Sequence, residues 1–188
     1  MAPFIPEPRR INPLLRLGIL VADRVTGRRM LPARLLAWYP KAAVGSGVLE
    51  SLVAHHDGGL DERMLQLVRV AASLATACPF CIDMNSFGHE RTGITHAELA
   101  ALQAGGDPES VASLTGRERL AITYARLVSA TPLDFPAEVV DRLTRAFTPR
   151  ELVVLASTAA QVNYWARLLQ ALGVPPAGFG DTCEVPAR

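Results

Sequence analysis

Cys78 and Cys81, separated by Pro79 and Phe80, are the residues of this sequence best placed to do chemistry. Two thiols at this spacing can close an internal disulfide with little backbone movement, because a bridge needs Cα atoms about 4.4–6.8 Å apart. Pro79 cannot continue the hydrogen bonding of a preceding helix, and it biases Cys78 away from helical geometry. It suits the first position of a new helix. Cys78 then stands at a helix N-terminus, where unpaired N–H groups and the dipole favour a thiolate. That is the electrostatic setting of a redox-active cysteine. The third cysteine, Cys183, falls in a tail rich in proline and glycine and reads as a free thiol.

The elements that must hold the pair in place are helical. No segment alternates polar and apolar residues with period two, so an all-α domain is expected. A helix from Asp61 to Thr76 carries apolar residues over more than half its circumference, the pattern of a buried helix. It leads directly into the cysteines. A second helix is expected from Pro79 to Thr92, ended by Gly93. Thr95–Glu98, Thr115–Glu118 and Thr148–Glu151 each have the Thr-x-x-Glu spacing of a capping box and predict helix starts at 96, 116 and 149. Pro149 strengthens the last of these. A further helix should open at Pro136 and run to Phe147. Upstream, helices are expected over Leu14–Val25, Pro32–Trp38 and Lys41–Ala54. Pro3, Pro6, Pro8 and Pro13 leave the first residues non-helical, laid across a neighbouring surface. His55 and His56 read as a solvated turn. Gln66–Cys78 and Glu151–Asn163 match at four of thirteen positions, which suggests two similar helical hairpins about a pseudo-twofold axis. The expected organisation is an N-terminal extension with one helix (1–30), a helical domain (31–175) and an irregular tail (176–188).

Composition narrows the function. Of 188 residues 49% are hydrophobic, enough for a substantial core, and the net charge of +1 makes no case for nucleic acid or an anionic membrane as partner. Arg9-Arg10 before the run from Leu14 to Ala22 loosely imitates a twin-arginine signal, but Arg16 interrupts the run and no small-residue cleavage site follows. No stretch approaches the roughly 20 apolar residues of a membrane span. A cytoplasmic protein is expected. In a reducing cytosol a C-x-x-C is more often catalytic or metal-binding than structural. One such motif supplies only half of a tetrahedral zinc shell, so neither a metal nor a cofactor is expected.

The stretch Cys78-Pro79-Phe80-Cys81-Ile82-Asp83-Met84, then Gly93-Ile94-Thr95, resembles the AhpD-like, carboxymuconolactone decarboxylase superfamily. The order of the later elements is similar too: Leu114-Thr115-Gly116-Arg117-Glu118, then Phe147-Thr148-Pro149-Arg150-Glu151-Leu152, then Asn163 with Arg167-Leu168. The resemblance spans roughly residues 30–175. It implies an AhpD-like helical bundle that assembles as a homo-oligomer, whether trimer, hexamer or dimer. In the redox branch it implies a C-x-x-C disulfide that reduces hydroperoxides or passes electrons to a peroxiredoxin or another thiol donor. That branch has a histidine four residues after the second cysteine and a glutamate twelve before the first. Here those positions are Asn85 and Gln66, and neither amide can carry a proton near neutral pH. Folded back antiparallel, the two helices would bring Gln66 and Asn85 within reach of each other through a water. His89, one turn beyond Asn85 on the same helix face, could serve as a substitute base. Asp83 is expected to face solvent or an arginine.

Two assignments stay open at this point. The resemblance makes Cys81 the attacking thiol and Cys78 the resolving one, whereas helix-terminus electrostatics favour Cys78. Loss of an acid–base group typically costs about 10²–10⁴ in rate, so weak peroxidase activity with better retained thiol–disulfide exchange is expected. The alternatives are a non-redox enzyme acting on a small carboxylic acid or lactone through Arg69 or His89, and a catalytically silent oligomeric scaffold. Trp38, Phe80, Phe87, Tyr164 and Trp165 are expected in the core or at a subunit interface, with some lining an apolar pocket beside the cysteines.

Overall fold

The structure is a computed structural model that describes residues 2–52 and 59–180; His55, His56 and Cys183 lie outside the described residues. These residues form nine α-helices, two short 3-10 turns and no strand. In order the helices are α1 (Pro13–Thr26), α2 (Leu31–Leu36), α3 (Pro40–Leu52), α4 (Glu62–Ala75), α5 (Pro79–Ser86), α6 (His96–Gln103), α7 (Gly116–Ser129), α8 (Ala137–Ala146) and α9 (Pro149–Ala171). Among the described residues no helix is long and apolar enough to cross a membrane.

All three capping boxes form as expected. Thr95, Thr115 and Thr148 each accept the backbone N–H of the glutamate three residues on, and Glu98, Glu118 and Glu151 each accept the N–H of their threonine. Asp61 caps α4 by accepting from Met64 N at 2.7 Å.

The helix α4 is the axis of the molecule and packs against α5, α7 and α9. Its residues Leu65, Leu67, Val68, Val70, Ala71 and Ala72 are almost wholly buried and meet Leu120–Ile122 of α7 and Leu155, Ala159 and Val162 of α9. A second, smaller cluster joins Cys78, Phe80 and Cys81 to Leu35 of α2, Ala166 and Leu169 of α9, and Val174. The N-terminal segment lies across the body, as its prolines foretell. Phe4 N donates to Leu172 O at 2.9 Å, and the Trp38 indole donates to Pro6 O at 2.7 Å. The Phe4 ring also lies over Gly173, where an added Cβ would fall 2.6 Å from it, so this crossing needs glycine.

The helix that carries the cysteines differs from expectation. It ends at Ser86 rather than Thr92: Phe87 is extended, Gly88 adopts a left-handed conformation (φ 67°), and residues His89–Thr92 form a separate 3-10 turn. A glycine at positive φ costs nothing sterically and redirects the chain. His89 is therefore not one helical turn beyond Asn85.

Candidate active site

The reversal between α4 and α5 is made by Thr76, Ala77 and Cys78. Ala77 takes a left-handed conformation (φ 48°) and Cys78 N donates to Ser73 O at 3.3 Å, closing the end of α4. Cys78 is then the N-cap of α5, and its sulfur accepts from Cys81 N at 3.3 Å. The two cysteines are joined in a disulfide with Cα atoms 5.2 Å apart, inside the range such a bridge requires.

The two sulfurs differ in surroundings. Cys78 is wholly enclosed by protein. Cys81 stands on the wall of a cavity of about 750 Å³, and Cys78 does not. The cavity is roofed by α1, α2 and α3 and floored by α4, α5 and α9. Leu15, Ile19, Leu36, Phe80, Met84 and Trp165 give it a mostly apolar lining. Glu50 and Arg69 are the charged residues on its wall among the described residues. Glu50 Oε2 accepts from Gln161 Nε2 at 2.6 Å and from Trp165 Nε1 at 2.9 Å. Burial lowers the pKa of Arg69, and the Glu50 charge acts in the opposite sense.

Gln66 and Asn85 are brought together, but not as a water-bridged amide pair. Gln66 Nε2 donates to the backbone carbonyls of Asn85 (3.1 Å) and Phe87 (3.4 Å), and Gln66 Oε1 accepts from the Thr92 hydroxyl at 2.8 Å. It thus clamps the end of α5 to the following turn. The Asn85 amide donates to Ser73 Oγ at 2.9 Å. Asn85 reaches the cavity wall, whereas Gln66 and His89 do not. His89 Nδ1 lies 3.0 Å from Ser86 O, and its ring is 6.0 Å from that of His96.

Asp83 corrects a further expectation. It faces neither solvent nor an arginine. It is buried, and its carboxylate accepts the N–H groups of Gly178 (2.8 Å), Phe179 (3.1 Å) and Gly180 (3.0 Å). Phe179 packs on Phe87, ring centroids 5.7 Å apart. Residues 178–180 are in this way strapped across the cysteine helix. Of the aromatics, Phe80 and Trp165 line the cavity while Trp38, Phe87 and Tyr164 are substantially exposed.

Glu50 and Gln161 escape a reading of the sequence, because α3 and α9 meet only in the fold and neither residue belongs to a local motif. Among the described residues no three His, Cys, Asp or Glu side chains group closely enough to hold a metal ion.

Comparison with known proteins places this arrangement. The model of the carboxymuconolactone decarboxylase family matches residues 46–126. Protein YnjA of Escherichia coli (strain K12) is 30% identical over 145 residues, covering 73% of this chain and 76% of its own. Protein YdfG of Bacillus subtilis (strain 168) is 22% identical over 144 residues, covering 73% and 93%. In structure, the chain is similar to an alkylhydroperoxidase AhpD core, peroxidase-related protein of Ralstonia eutropha JMP134, with a TM-score of 0.78, 18% identity, and 93% and 92% of the two chains covered. It is also similar to the debrominase Bmp8, solved as a cysteine-to-alanine variant with 2,3,4-tribromopyrrole, with a TM-score of 0.75, 18% identity, and 92% and 91% covered.

Proposed function

This chain belongs to the carboxymuconolactone decarboxylase family and has the AhpD-like fold, and we propose that within it the protein is a thiol–disulfide oxidoreductase that reduces organic hydroperoxides. The observation that carries the proposal is the asymmetry of the two sulfurs: Cys81 meets the cavity and Cys78 waits behind it, within bonding distance. That arrangement supports Cys81 as the attacking thiol and Cys78 as the resolving one.

In the proposed cycle the Cys81 thiolate attacks the terminal oxygen of the hydroperoxide. The O–O bond breaks, Cys81 becomes a sulfenic acid, and the alkoxide leaves as an alcohol after taking up a proton. The Cys78 thiol then attacks the Cys81 sulfur. The S–S bond forms, the S–O bond breaks and water leaves. An external dithiol, small or protein-borne, returns two electrons and two protons by exchange. A reducing cytosol would supply such a donor.

A second reading rests on Arg69. A guanidinium on an apolar cavity wall could hold the carboxylate of a small acid for non-redox chemistry, with the cysteines as bystanders. His89 drops out of that reading because it is off the wall.

The test is a single turnover. Fully reduced protein is mixed with cumene hydroperoxide, quenched by alkylation and mapped by mass spectrometry. A Cys78–Cys81 bridge that forms much faster than Cys183 is oxidised, and is absent in Cys81→Ser, is the expected result. If both thiols stay reduced, or react no faster than Cys183, the redox reading fails. Small aromatic acids and halogenated aromatics would then be the substrates to screen.

A further inference from the structure

The reaction just described needs a proton removed from Cys81 and a proton given to the departing alkoxide. The residues that the family's redox branch would use are amides here, Gln66 and Asn85, and amides do neither near neutral pH. His89 is turned away from the cavity. Among the described residues Glu50 is the acidic group that the fold carries to the same cavity as Cys81.

Glu50 is also held as a reacting carboxylate should be. The Trp165 indole and the Gln161 amide both donate to Oε2, which fixes the plane of the group. Both donors come from α9, more than a hundred residues away in sequence. From the helices around the cavity, α1, α2, α4, α5 and α9, Arg69 is the one charged residue that joins Glu50 on the wall among the described residues.

We propose that Glu50 is the proton carrier of this site. Its carboxylate accepts the Cys81 S–H proton as sulfur attacks, directly or through one water, and gives the same proton to the alkoxide oxygen as the O–O bond breaks. Glu50 ends the step ionised, as it began. Arg69 stabilises the negative charge while it passes from sulfur to oxygen. This inference rests on the redox reading above, and the experiment separates the two.

The full-length reduced protein is followed through the same single turnover with cumene hydroperoxide, at neutral pH. Glu50→Gln, which keeps size and hydrogen bonding, is expected to slow bridge formation about 100-fold. Glu50→Asp should recover most of the rate. Glu50→Ala should be partly restored by added formate, a carboxylate small enough for the vacated space. A Glu50→Gln variant with the wild-type rate overturns the inference. So does a slower Glu50→Gln variant together with a Glu50→Ala variant that formate does not rescue, which would make Glu50 a structural residue. An unreactive wild type overturns the redox reading itself, and this inference with it.

Discussion

Two arginines of α4 stand among carboxylates, and their fates differ. Arg63, near the start of the helix, bonds Glu98 (2.8 Å), Glu118 (2.6 Å) and the carbonyl of Gly93. Both glutamates are already tied into capping boxes, and Glu98 also accepts from Ser113 at 2.7 Å. The cluster is closed: each charge faces packed protein. Burial alone would raise the Glu98 pKa, but bonds from Arg63, from the Thr95 amide, and from the Ser113 and Thr95 hydroxyls outweigh it and hold the group at about 2. Arg69, six residues on, lines one cavity with Glu50 and Cys81. The same residue types serve architecture where they face protein and become available to chemistry where they face space.

The comparison can be broken hardest on its open side. Cys81→Ser should abolish peroxide-driven bridge formation while leaving the fold intact, read by mass spectrometry and circular dichroism. On the closed side Glu98→Ala should destabilise the fold by about 1–3 kcal/mol, since it removes the capping-box acceptor of Thr95 and one of the two carboxylates that bond Arg63. Denaturant titration would show this, and the rate per folded molecule should not change. An equal loss of rate would mean that the two clusters are not separable.

The acid side of the stability curve should report the closed cluster. Glu98 has a folded pKa of about 2 against an unfolded value of about 4.3. Its contribution is complete above the unfolded value and is lost as pH falls toward the folded one. The stability gap between wild type and Glu98→Gln should therefore shrink from about pH 4.3 downward and close near pH 2. A gap that persists below that range would show that the carboxylate is not the source of stability.

A finer cut tests whether cavity space sets preference. An added Cβ at Gly47 meets nothing within 4 Å, and Gly47 is on the cavity wall. Gly47→Leu should lower the rate with cumene hydroperoxide about tenfold and spare hydrogen peroxide. The smallest effect is expected at Ala77, whose left-handed backbone suits glycine. Ala77→Gly should raise stability by about 0.5–1 kcal/mol, seen as a modest shift in the denaturation midpoint.

Much of the fold was legible because its signals are local. Capping boxes at Thr95, Thr115 and Thr148 state both a helix start and the residue that secures it. The apolar sweep of α4 announces a buried helix, and Cys78-Pro79 announces the reversal after it. The end of α5 is misread from the sequence: its pattern predicts a helix that runs to Thr92 and stops at Gly93, whereas Gly88 already turns the chain after Ser86. What could not be read is what α9 and the last residues bring from far away. Asp83 looks like an ordinary helix-surface acid until residues 178–180 arrive to bind it. Glu50 looks like a solvated residue of a glycine-containing helix until Gln161 and Trp165 meet it. Periodicity assigns a residue to a face, but it does not say which distant surface that face will find.

The strap over the cysteine helix has a consequence for how the protein is made. Asp83 waits for its last donor, Gly180, which lies 97 residues further along the chain. At about 5–20 residues per second, a ribosome needs about 5–20 s to cover that distance. During that interval the Cys78–Cys81 hairpin is already in the cell without its cover. The thiols thus meet their surroundings first as an open peptide and only later as an enclosed pair.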